Sequence, residues 1–521
     1  MKITKLYKSM IFMLLFVFVA ITACNEDILD QSNPNALAPS NFWRNAEDAK
    51  KGIMGAYAPF TDIWYYTRFE IFLSDYRDDV VNGFNTSERT AAGNFNASPD
   101  SNGAKWVWSA MFKGISRANE VLGRVPAVEM NETEKKNILG EAYFIRAFNY
   151  FNLLNTWLNV PLLTVPSGQV PDTRNVPQAT PEETRTQIIA DLKEAQNNLP
   201  DSWSEVDKGR VTKMGATALL GKVYLYAGDW TNAKAEFQKV MNSSHGLVDD
   251  YRDNFREATE NNKESLFEIQ MIADGISGWC ADCGNHGAGA AFHQDLAPQG
   301  FTGQDGMRIN DWVLDLFLDE KTVNDEIDPR AFVTLFWDTN ETTTYEGDQV
   351  GSRTYLGATY QETYNGGDTR IYASKHLDFE SGRKAANDGG WHQFGNNLRI
   401  LRYADVLLMF AEAEFNLNGS TGAALAAINE VRARVDMPAF TSITLQDIKD
   451  ERVKELSLER TRFYDLLRWG QVKERIVDTP GIKSESGGTG SYVPGREYVA
   501  IPTDEMNNSD VFVQNTGWVS Q

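Results

Sequence analysis

Three stretches of the sequence place aromatic side chains beside side chains that donate or accept hydrogen bonds. A flat aromatic ring can stack on the apolar face of a sugar ring, while neighbouring Asp, Asn, Gln or Arg side chains bind the sugar hydroxyls. We therefore treat these stretches as candidate carbohydrate sites. The candidate ligand contacts are Trp64, Tyr65, Asp75 and Arg77 in the first stretch, Trp279, His286 and Phe301 in the second, Trp391 in the third, and Trp106 on a predicted helix.

The same aromatic residues have a second interpretation. A loop without a repeating pattern relies on a few aromatic side chains for its core, so any one of these rings could be buried packing instead of a ligand contact. Trp108 shares a helix face with Phe112 and Ile115 and is predicted to be core. Trp106, two residues earlier, points in another direction and could face a groove.

The sequence contains no arrangement typical of a catalytic centre. A glycosidase needs two carboxylates at a set separation, and none of the 72 acidic residues stands out as such a pair. We find no serine nucleophile elbow, no H-E-x-x-H motif and no phosphate-binding loop. We therefore predict that the protein is not an enzyme and has no cofactor. No metal is assigned, because the acidic segment Asp319–Asp328 lacks EF-hand spacing.

The formal charge of −22, from 50 basic and 72 acidic residues, argues against a nucleic-acid partner, which would need a basic stripe. The same excess of acidic residues favours a neutral glycan over a sulfated or uronic one.

The chain has 521 residues, 42% of them hydrophobic, which is enough to bury a large core.

The N-terminal segment has the features of a signal peptide. Three lysines precede the apolar run Met10–Ala20, which is too short to span a membrane comfortably. The following Ala20-Ile21-Thr22-Ala23-Cys24 resembles a bacterial lipobox, in which Cys24 is lipidated; an ordinary cleavage site with an incidental cysteine is the alternative. We predict a signal peptide over residues 1–23 and a polar, lipidated tether over residues 24–40.

Cys280 and Cys283 form a single C-x-x-C in a glycine-rich segment. A disulfide is favoured, because an exported protein meets an oxidising compartment. A zinc site would need four ligands, for which His286 and His293 are nearby. A thioredoxin-like redox role would need a βαβ context that this segment lacks.

Apolar residues at helical spacing predict a mainly α fold. Residues 41–521 are predicted to form one body, with a helical scaffold over residues 41–261 and 394–521 and a loop-rich, ligand-binding insert over residues 262–393. The segment Ser74–Ser101 is polar and without periodicity, and we predict a surface loop there. The predicted helical segments are Ala46–Tyr57, Lys105–Val125, Glu132–Trp157, Pro181–Leu199, Met214–Ser243, Leu398–Leu417, Ala423–Val435 and Asp447–Trp469.

Met214–Ser243 matches the tetratricopeptide pattern of two paired helices. The matching residues are Leu220, Gly221, Tyr224, Ala233 and Phe237. Gly221 would let the two helices approach closely, while Ala233 and Phe237 would fill the space between them. Such units stack on each other because none can bury its apolar face alone.

The helices predicted at Leu398–Leu417 and Ala423–Val435 form an αα-hairpin whose first member is apolar on nearly every side, which is typical of a buried helix. Its polar residues Arg402, Asp405 and Glu412 occupy one narrow stripe, and we predict that they are satisfied polar groups between helices. The charged residues that follow have spacing that suits ion pairs on a helix surface. They are Arg452, Glu455, Glu459 and Arg462.

Four blocks of sequence, in order, resemble the SusD/RagB family of nutrient-binding outer-membrane lipoproteins of Bacteroidetes. The resemblance implies eight helices in four tetratricopeptide-like pairs with an irregular ligand-binding region. Gly300-Phe301-Thr302-Gly303 resembles a family motif, with Phe in place of the more usual Trp. The blocks are Gly140–Phe151; Arg399–Ala413 with Asn429–Arg434; Glu451-Arg452 with Phe463–Gly470; and Ile501-Pro502 with Gln514-Asn515.

The resemblance also implies a location and a partner. Members of the family lie on the cell surface, anchored in the outer membrane by lipid, and pass oligosaccharides to a SusC-like, TonB-dependent transporter. Asn25-Glu26-Asp27 directly after the lipobox resembles the surface-export signal of such lipoproteins. The expected function is glycan capture and delivery. The alternative is a surface lipoprotein that captures a peptide or protein in the tetratricopeptide groove.

Overall fold

A computed structural model describes most of the chain. The described residues are 42–83, 87–170, 172–272, 289–296, 307–338, 344–345, 348–349, 354–355, 358–360, 370–377, 394–483 and 492–519.

Helices dominate the described residues, which confirms the predicted mainly α fold. In chain order they are α1 (Ala46–Tyr57), α2 (Ser87–Gly93), α3 (Asn102–Arg124), α4 (Glu132–Trp157), α5 (Pro181–Asn198), α6 (Lys213–Tyr226), α7 (Trp230–Met241), α8 (His293–Leu296), α9 (Asp311–Leu318), α10 (Arg330–Thr334), α11 (Tyr403–Asn418), α12 (Gly422–Ala433), α13 (Leu445–Leu456), α14 (Arg462–Arg468) and α15 (Thr503–Asn508).

The strands are short. They are β1 (Val81–Gly83), β2 (Val160–Pro161), β3 (Gln178–Ala179), β4 (Ser265–Ile269), β5 (Met307–Ile309), β6 (Leu335–Phe336), β7 (Thr344–Tyr345), β8 (Asp348–Gln349), β9 (Thr354–Tyr355), β10 (Ala358–Thr359), β11 (Ile371–Ala373) and β12 (Leu398–Arg402).

The scaffold is a continuous stack of helices. Each of α3 to α6 packs on the next helix along the chain, α7 packs on α11, and α11 packs on α12. The helix ends follow local rules: Thr180 caps α5 in a reciprocal pair of hydrogen bonds with Glu183, and Pro181 occupies the first turn, as predicted. The predicted bounds of α1 and α4 match the structure.

The α6–α7 pair shows the predicted close approach. A Cβ atom at Gly221 would lie 2.5 Å from the ring of Phe237, and Ala233 and Phe237 are fully buried. Glycine at this position therefore allows the two helix axes to come together with the Phe237 ring between them.

Four of the strands form an antiparallel sheet in the order β1-β5-β11-β6. Three of them come from residues 262–393, and β1 comes from the segment before α2. The register pairs Asn82 with Arg308 and Tyr372 with Arg308. The predicted insert therefore packs, through this sheet, on a segment more than 200 residues earlier in the chain.

The first part of the predicted helix Leu398–Leu417 is a strand, which corrects that prediction. Leu398 pairs with Ile269 and Arg402 with Ser265 in the β4–β12 ladder, and the helix starts at Tyr403. A short apolar run fits a buried strand as well as a buried helix, so periodicity alone could not separate the two.

The segment Ser74–Ser101 is not the predicted surface loop. It contains a short 3-10 helix, β1 and α2, and Asp78, Asp79 and Arg89 are buried. Its charged side chains tolerate burial because they are paired: Asp79 with Arg462, and Arg89 with Asp295.

The segment Asp447–Trp469 forms two helices, α13 and α14. Leu458 and Arg460 between them have positive φ angles of 67° and 59°, which no helix accommodates. The ion pairs predicted for a helix surface are buried instead. Arg452 contacts Asp405 and Asp465, Glu455 contacts Arg402, and Arg462 contacts Asp79.

Among the described helices, none is long and apolar enough to cross a membrane.

Candidate functional site

An open cleft with a volume of about 460 Å³ lies beside the four-stranded sheet. It is bounded by β1, β5 and β11, by the start of α9, and by the segment that follows α14. The side chains that matter chemically are Asn82, Arg308, Asn310, Trp312, Arg370 and Arg475. An aromatic ring, amides and guanidinium groups in one cleft give both a stacking surface and hydrogen-bond donors.

The sheet register places two of these residues together. Asn82 on β1 lies directly opposite Arg308 on β5. Side chains opposite each other in an antiparallel pair project from the same face of the sheet. Both side chains line the cleft and are largely buried.

Among the described residues that line the cleft, Trp312 is the aromatic one. Val313 and Phe317 anchor α9 in the core, which leaves the neighbouring Trp312 half-buried. Its ring is held at one edge, because its Nε1 donates a 2.8 Å hydrogen bond to the backbone oxygen of Asp79. The Asn310 side-chain amide donates to the same oxygen, also at 2.8 Å. The ring is therefore fixed in orientation before any ligand arrives.

Asp79 also positions an arginine in the cleft. Its buried carboxylate accepts hydrogen bonds from Arg462 at 2.7 and 2.8 Å and from Arg475 at 2.9 Å. Burial alone would raise the pKa of Asp79, but the two guanidinium groups together lower it below its ordinary value. The Arg475 guanidinium lies 4.7 Å from the Trp312 ring centroid, and its side chain is 35% exposed.

The structure brings together two residues that the sequence predicted, Trp64 and Trp106. Their ring centroids are 5.1 Å apart, and both side chains are half-buried. Trp64 also stacks on Phe69 at 5.0 Å, and the Lys105 ammonium lies 5.2 Å from the Trp106 ring. Because Trp64 packs against two other rings, Trp106 is the more available of the two for a ligand.

Three of the predicted ligand contacts lie inside the core, which corrects the prediction for them. Tyr65 is fully buried and its hydroxyl donates to Asn149. Asp75 accepts a hydrogen bond from the backbone N–H of Arg460, and burial raises its pKa to about 6. Arg77 donates to the backbone oxygens of Arg496 and Glu497, and burial lowers its pKa to about 10. Each group is already bound by the protein.

The remaining predicted positions lie outside the described residues. They are Trp279, His286, Phe301 and Trp391, the lipidation site Cys24, and the pair Cys280 and Cys283. Within the described part of the chain, no three His, Cys, Asp or Glu side chains are grouped so that they could hold a metal ion.

The residues of the Trp312 cleft were not among the candidate ligand contacts predicted from the sequence. Trp312 is one of several tryptophans in the insert. The feature that could have singled it out is its position as the second residue of a short helix, directly after a polar residue. Nothing local in the sequence pointed to Arg370 or Arg475, because only the tertiary fold brings them to the same cleft.

Two family models match separate parts of the chain. The model of the SusD family matches residues 263–518. A second model, described as starch-binding associating with outer membrane, matches residues 27–225. The chain belongs to the SusD family.

The similarity to other SusD-family proteins extends over nearly the whole chain. SusD-like protein P25 of Formosa agariphila is 26% identical over 493 residues, covering 89% of this chain and 90% of that protein. A solved SusD superfamily protein of Bacteroides vulgatus superposes with a TM-score of 0.78 at 23% identity, covering 92% of this chain and all of that one. A laminarin-binding SusD-like protein superposes with a TM-score of 0.73 at 28% identity, covering 91% of this chain and all of that one.

Proposed function

We propose that this SusD-family protein is a cell-surface binding protein that captures a glycan in the Trp312 cleft. The observation that carries the proposal is the geometry of Trp312. Its half-buried ring is fixed by a hydrogen bond to the protein backbone and stands among amide and guanidinium donors. A preorganised ring of this kind can stack on a sugar at little cost in conformational entropy.

The comparisons support a glycan as the ligand. The laminarin-binding protein that resembles this chain at 28% identity has a name that states its ligand, a polysaccharide. A family described as starch-binding matches the N-terminal part of the chain. Because sugar sites vary within a shared fold, these names support the class of ligand and not its identity.

The proposal is tested by replacing Trp312 with alanine. We expect the variant to lose at least about tenfold in affinity for the best-binding polysaccharide, because the ring supplies the stacking surface. Affinity electrophoresis or calorimetry would measure the loss. Trp230→Ala is the matched control, since Trp230 is a half-buried tryptophan at the start of α7 and does not line the cleft.

Two results would contradict this assignment. An unchanged affinity in Trp312→Ala, combined with a loss in Trp106→Ala, would move the site to the stack of Trp64 and Trp106. Binding of peptides without binding of any glycan would favour the alternative of peptide or protein capture.

We further propose that the chain is anchored in the outer membrane by lipid on Cys24. The support is the lipobox at Ala20–Cys24 and the description of the matched family as associating with the outer membrane. In cells grown with labelled palmitate, the wild-type protein should carry label, and Cys24→Ala should not. Label retained by the variant would refute the anchor.

Delivery of the glycan to a SusC-like, TonB-dependent transporter is the last part of the proposal and rests on the family resemblance. Tagged protein purified from gently solubilised outer membranes should bring a β-barrel transporter with it. Purification of the protein without any such barrel would contradict this step.

A further inference from the structure

We infer that Arg462 is a positioning residue for the Trp312 cleft, and that it holds in place the side chains that bind the glycan. The inference rests on the proposed function, because it names a residue on which the binding geometry of that cleft depends. Arg462 is the first residue of α14, its side chain is 9% exposed, and it is not one of the described residues that line the cleft. It acts through the carboxylate of Asp79, which also binds Arg475.

The two arginines bind Asp79 in different ways. Arg462 donates from Nε to one carboxylate oxygen at 2.7 Å and from a terminal nitrogen to the other at 2.8 Å. Arg475 donates a single bond from Nε, at 2.9 Å. Two parallel bonds fix the plane of a carboxylate, whereas one bond leaves its partner able to rotate. Arg462 therefore sets the orientation of the carboxylate to which Arg475 is bound.

Arg462 also keeps Asp79 ionised. Burial alone would raise the pKa of this carboxyl group, and Arg462 and Arg475 lower it below its ordinary value, with the larger effect from Arg462. Without Arg462, the hydrogen-bonded counter-charge of the buried carboxylate would be Arg475, whose side chain is 35% exposed. The carboxylate would then either take up a proton or draw Arg475 inward to complete its hydrogen bonds. Either change moves Arg475 from its present place.

Asp79 connects this ion pair to the aromatic ring of the cleft. The guanidinium group of Arg475 lies 4.7 Å from the Trp312 ring centroid, and that of Arg462 lies 5.7 Å from it. The backbone oxygen of Asp79 accepts the hydrogen bond from Trp312 Nε1. Asp79 thus holds the ring through its backbone and the neighbouring guanidinium through its side chain. A shift of Asp79 would change both the stacking surface and the donor beside it.

The chain contains a matched ion pair away from the cleft. Arg146 on α4 donates to Asp191 on α5 from Nε at 2.8 Å and from a terminal nitrogen at 2.7 Å, and both side chains are buried. Neither residue is among the described residues that line the cleft. Removing the Arg146 guanidinium leaves a buried carboxylate without its main partner, as removing that of Arg462 does. A loss of binding confined to Arg462 would therefore not be a general effect of breaking a buried pair.

The test replaces Arg462 by methionine in the full-length mature protein, which keeps the length of the side chain and removes its donors. The probes are laminarin, starch, xylan and polygalacturonate, and affinity is measured by calorimetry for the one that the wild-type protein binds most tightly. We expect Arg462→Met to lose about tenfold in affinity. Arg146→Met should lower the melting temperature by a similar amount and keep its affinity within about twofold of wild type.

A conservative variant keeps the test decisive if Arg462→Met does not fold. Arg462→Lys retains the positive charge beside Asp79 but lacks the two parallel donors. We expect it to fold and to lose about threefold in affinity for the same polysaccharide.

A double variant separates positioning from stability. In Asp79→Asn/Arg462→Met no buried carboxylate is left without its partner, so the melting temperature should recover most of the loss seen in Arg462→Met. The affinity should stay about tenfold below that of the wild-type protein, because a neutral amide that Arg462 does not hold cannot fix Arg475. A purely structural role for Arg462 would instead restore affinity together with stability.

The outcomes distinguish this inference from the proposed function. Wild-type affinity in Arg462→Met, or in Arg462→Lys if the first variant does not fold, would overturn the inference. Equal losses of affinity in Arg462→Met and Arg146→Met would overturn it as well, and so would recovery of affinity in the double variant. In each of these cases a loss of binding in Trp312→Ala would leave the proposed function intact. Binding of none of the four polysaccharides by the folded wild-type protein would count against the proposed function itself.

Discussion

Buried charged side chains in this protein form networks. Arg402 contacts Glu264, Glu455 and Glu459 at 2.6 to 2.8 Å, and all four side chains are almost completely buried. Asp405 lies between Lys222 and Arg452, and Glu412 binds Arg468. The prediction that Arg402, Asp405 and Glu412 are satisfied polar groups is confirmed. Removing one member would leave an uncompensated charge in the core, which typically costs about 3–5 kcal/mol.

Glu70 is a buried carboxyl that titrates near neutral pH. Burial raises its pKa to about 7, although Arg460, 2.5 Å away, acts in the opposite direction. A carboxyl whose pKa is higher in the folded chain than in the unfolded chain binds its proton more tightly when folded. Its contribution to stability is therefore greatest below its ordinary pKa and falls as the pH rises through about 7.

We expect Glu70→Gln, which cannot ionise, to gain stability relative to the wild-type protein as the pH rises from about 5 to about 7.5. Urea unfolding of both proteins across this range measures the difference in the free energy of unfolding. Glu182→Gln, at an exposed glutamate on α5, is the control and should give a constant difference. A difference for Glu70→Gln that does not change with pH would refute the assignment.

At the scale of elements, local patterns account for the helices of the scaffold. The capping residues Thr180 and Asn131 and the apolar spacing of α4 and α5 are contained in short stretches of sequence, so these helices could be predicted. The strand β12 could not be predicted in this way, because it forms by pairing with β4, which lies more than 120 residues away in the sequence.

The break between α13 and α14 is another element that depends on tertiary contacts. Lys375 donates hydrogen bonds to the backbone oxygens of Glu455 and Ser457, and Asp75 accepts one from the backbone N–H of Arg460. These long-range bonds satisfy backbone groups that a continuous helix would have paired internally. Nothing in the sequence of the segment itself marks the break, since neither glycine nor proline occurs there.

The close contact of α6 and α7 gives a prediction at this scale. In Gly221→Val the new side chain would collide with Phe237, which is fully buried and has little room to move. We expect a loss of about 1–3 kcal/mol in the free energy of unfolding, measured by chemical denaturation.

Gly55→Ala on α1 is the control for this substitution. No atom lies within 4 Å of a Cβ placed at Gly55, so alanine should be neutral or stabilise the helix by up to about 1 kcal/mol. A Gly221→Val variant as stable as the wild-type protein would show that the contact with Phe237 does not limit the approach of the helices.

At the scale of the whole molecule, the candidate site is assembled from four distant parts of the chain. Asn82, Arg308, Arg370 and Arg475 reach one cleft because the sheet and the segment after α14 bring them there. The sequence predicted the class of protein and the type of chemistry, an aromatic ring among polar groups. It could not predict which aromatic ring, because strand pairing and the burial of Val313 and Phe317 on α9 place Trp312 at the cleft.

The most direct test of the account is a crystal structure of the protein with an oligosaccharide from the polymer that it binds most tightly. We predict a sugar ring stacked on Trp312, with a substituent of that sugar hydrogen-bonded to Arg475. A sugar bound on the stack of Trp64 and Trp106, or anywhere else outside the Trp312 cleft, would contradict the account.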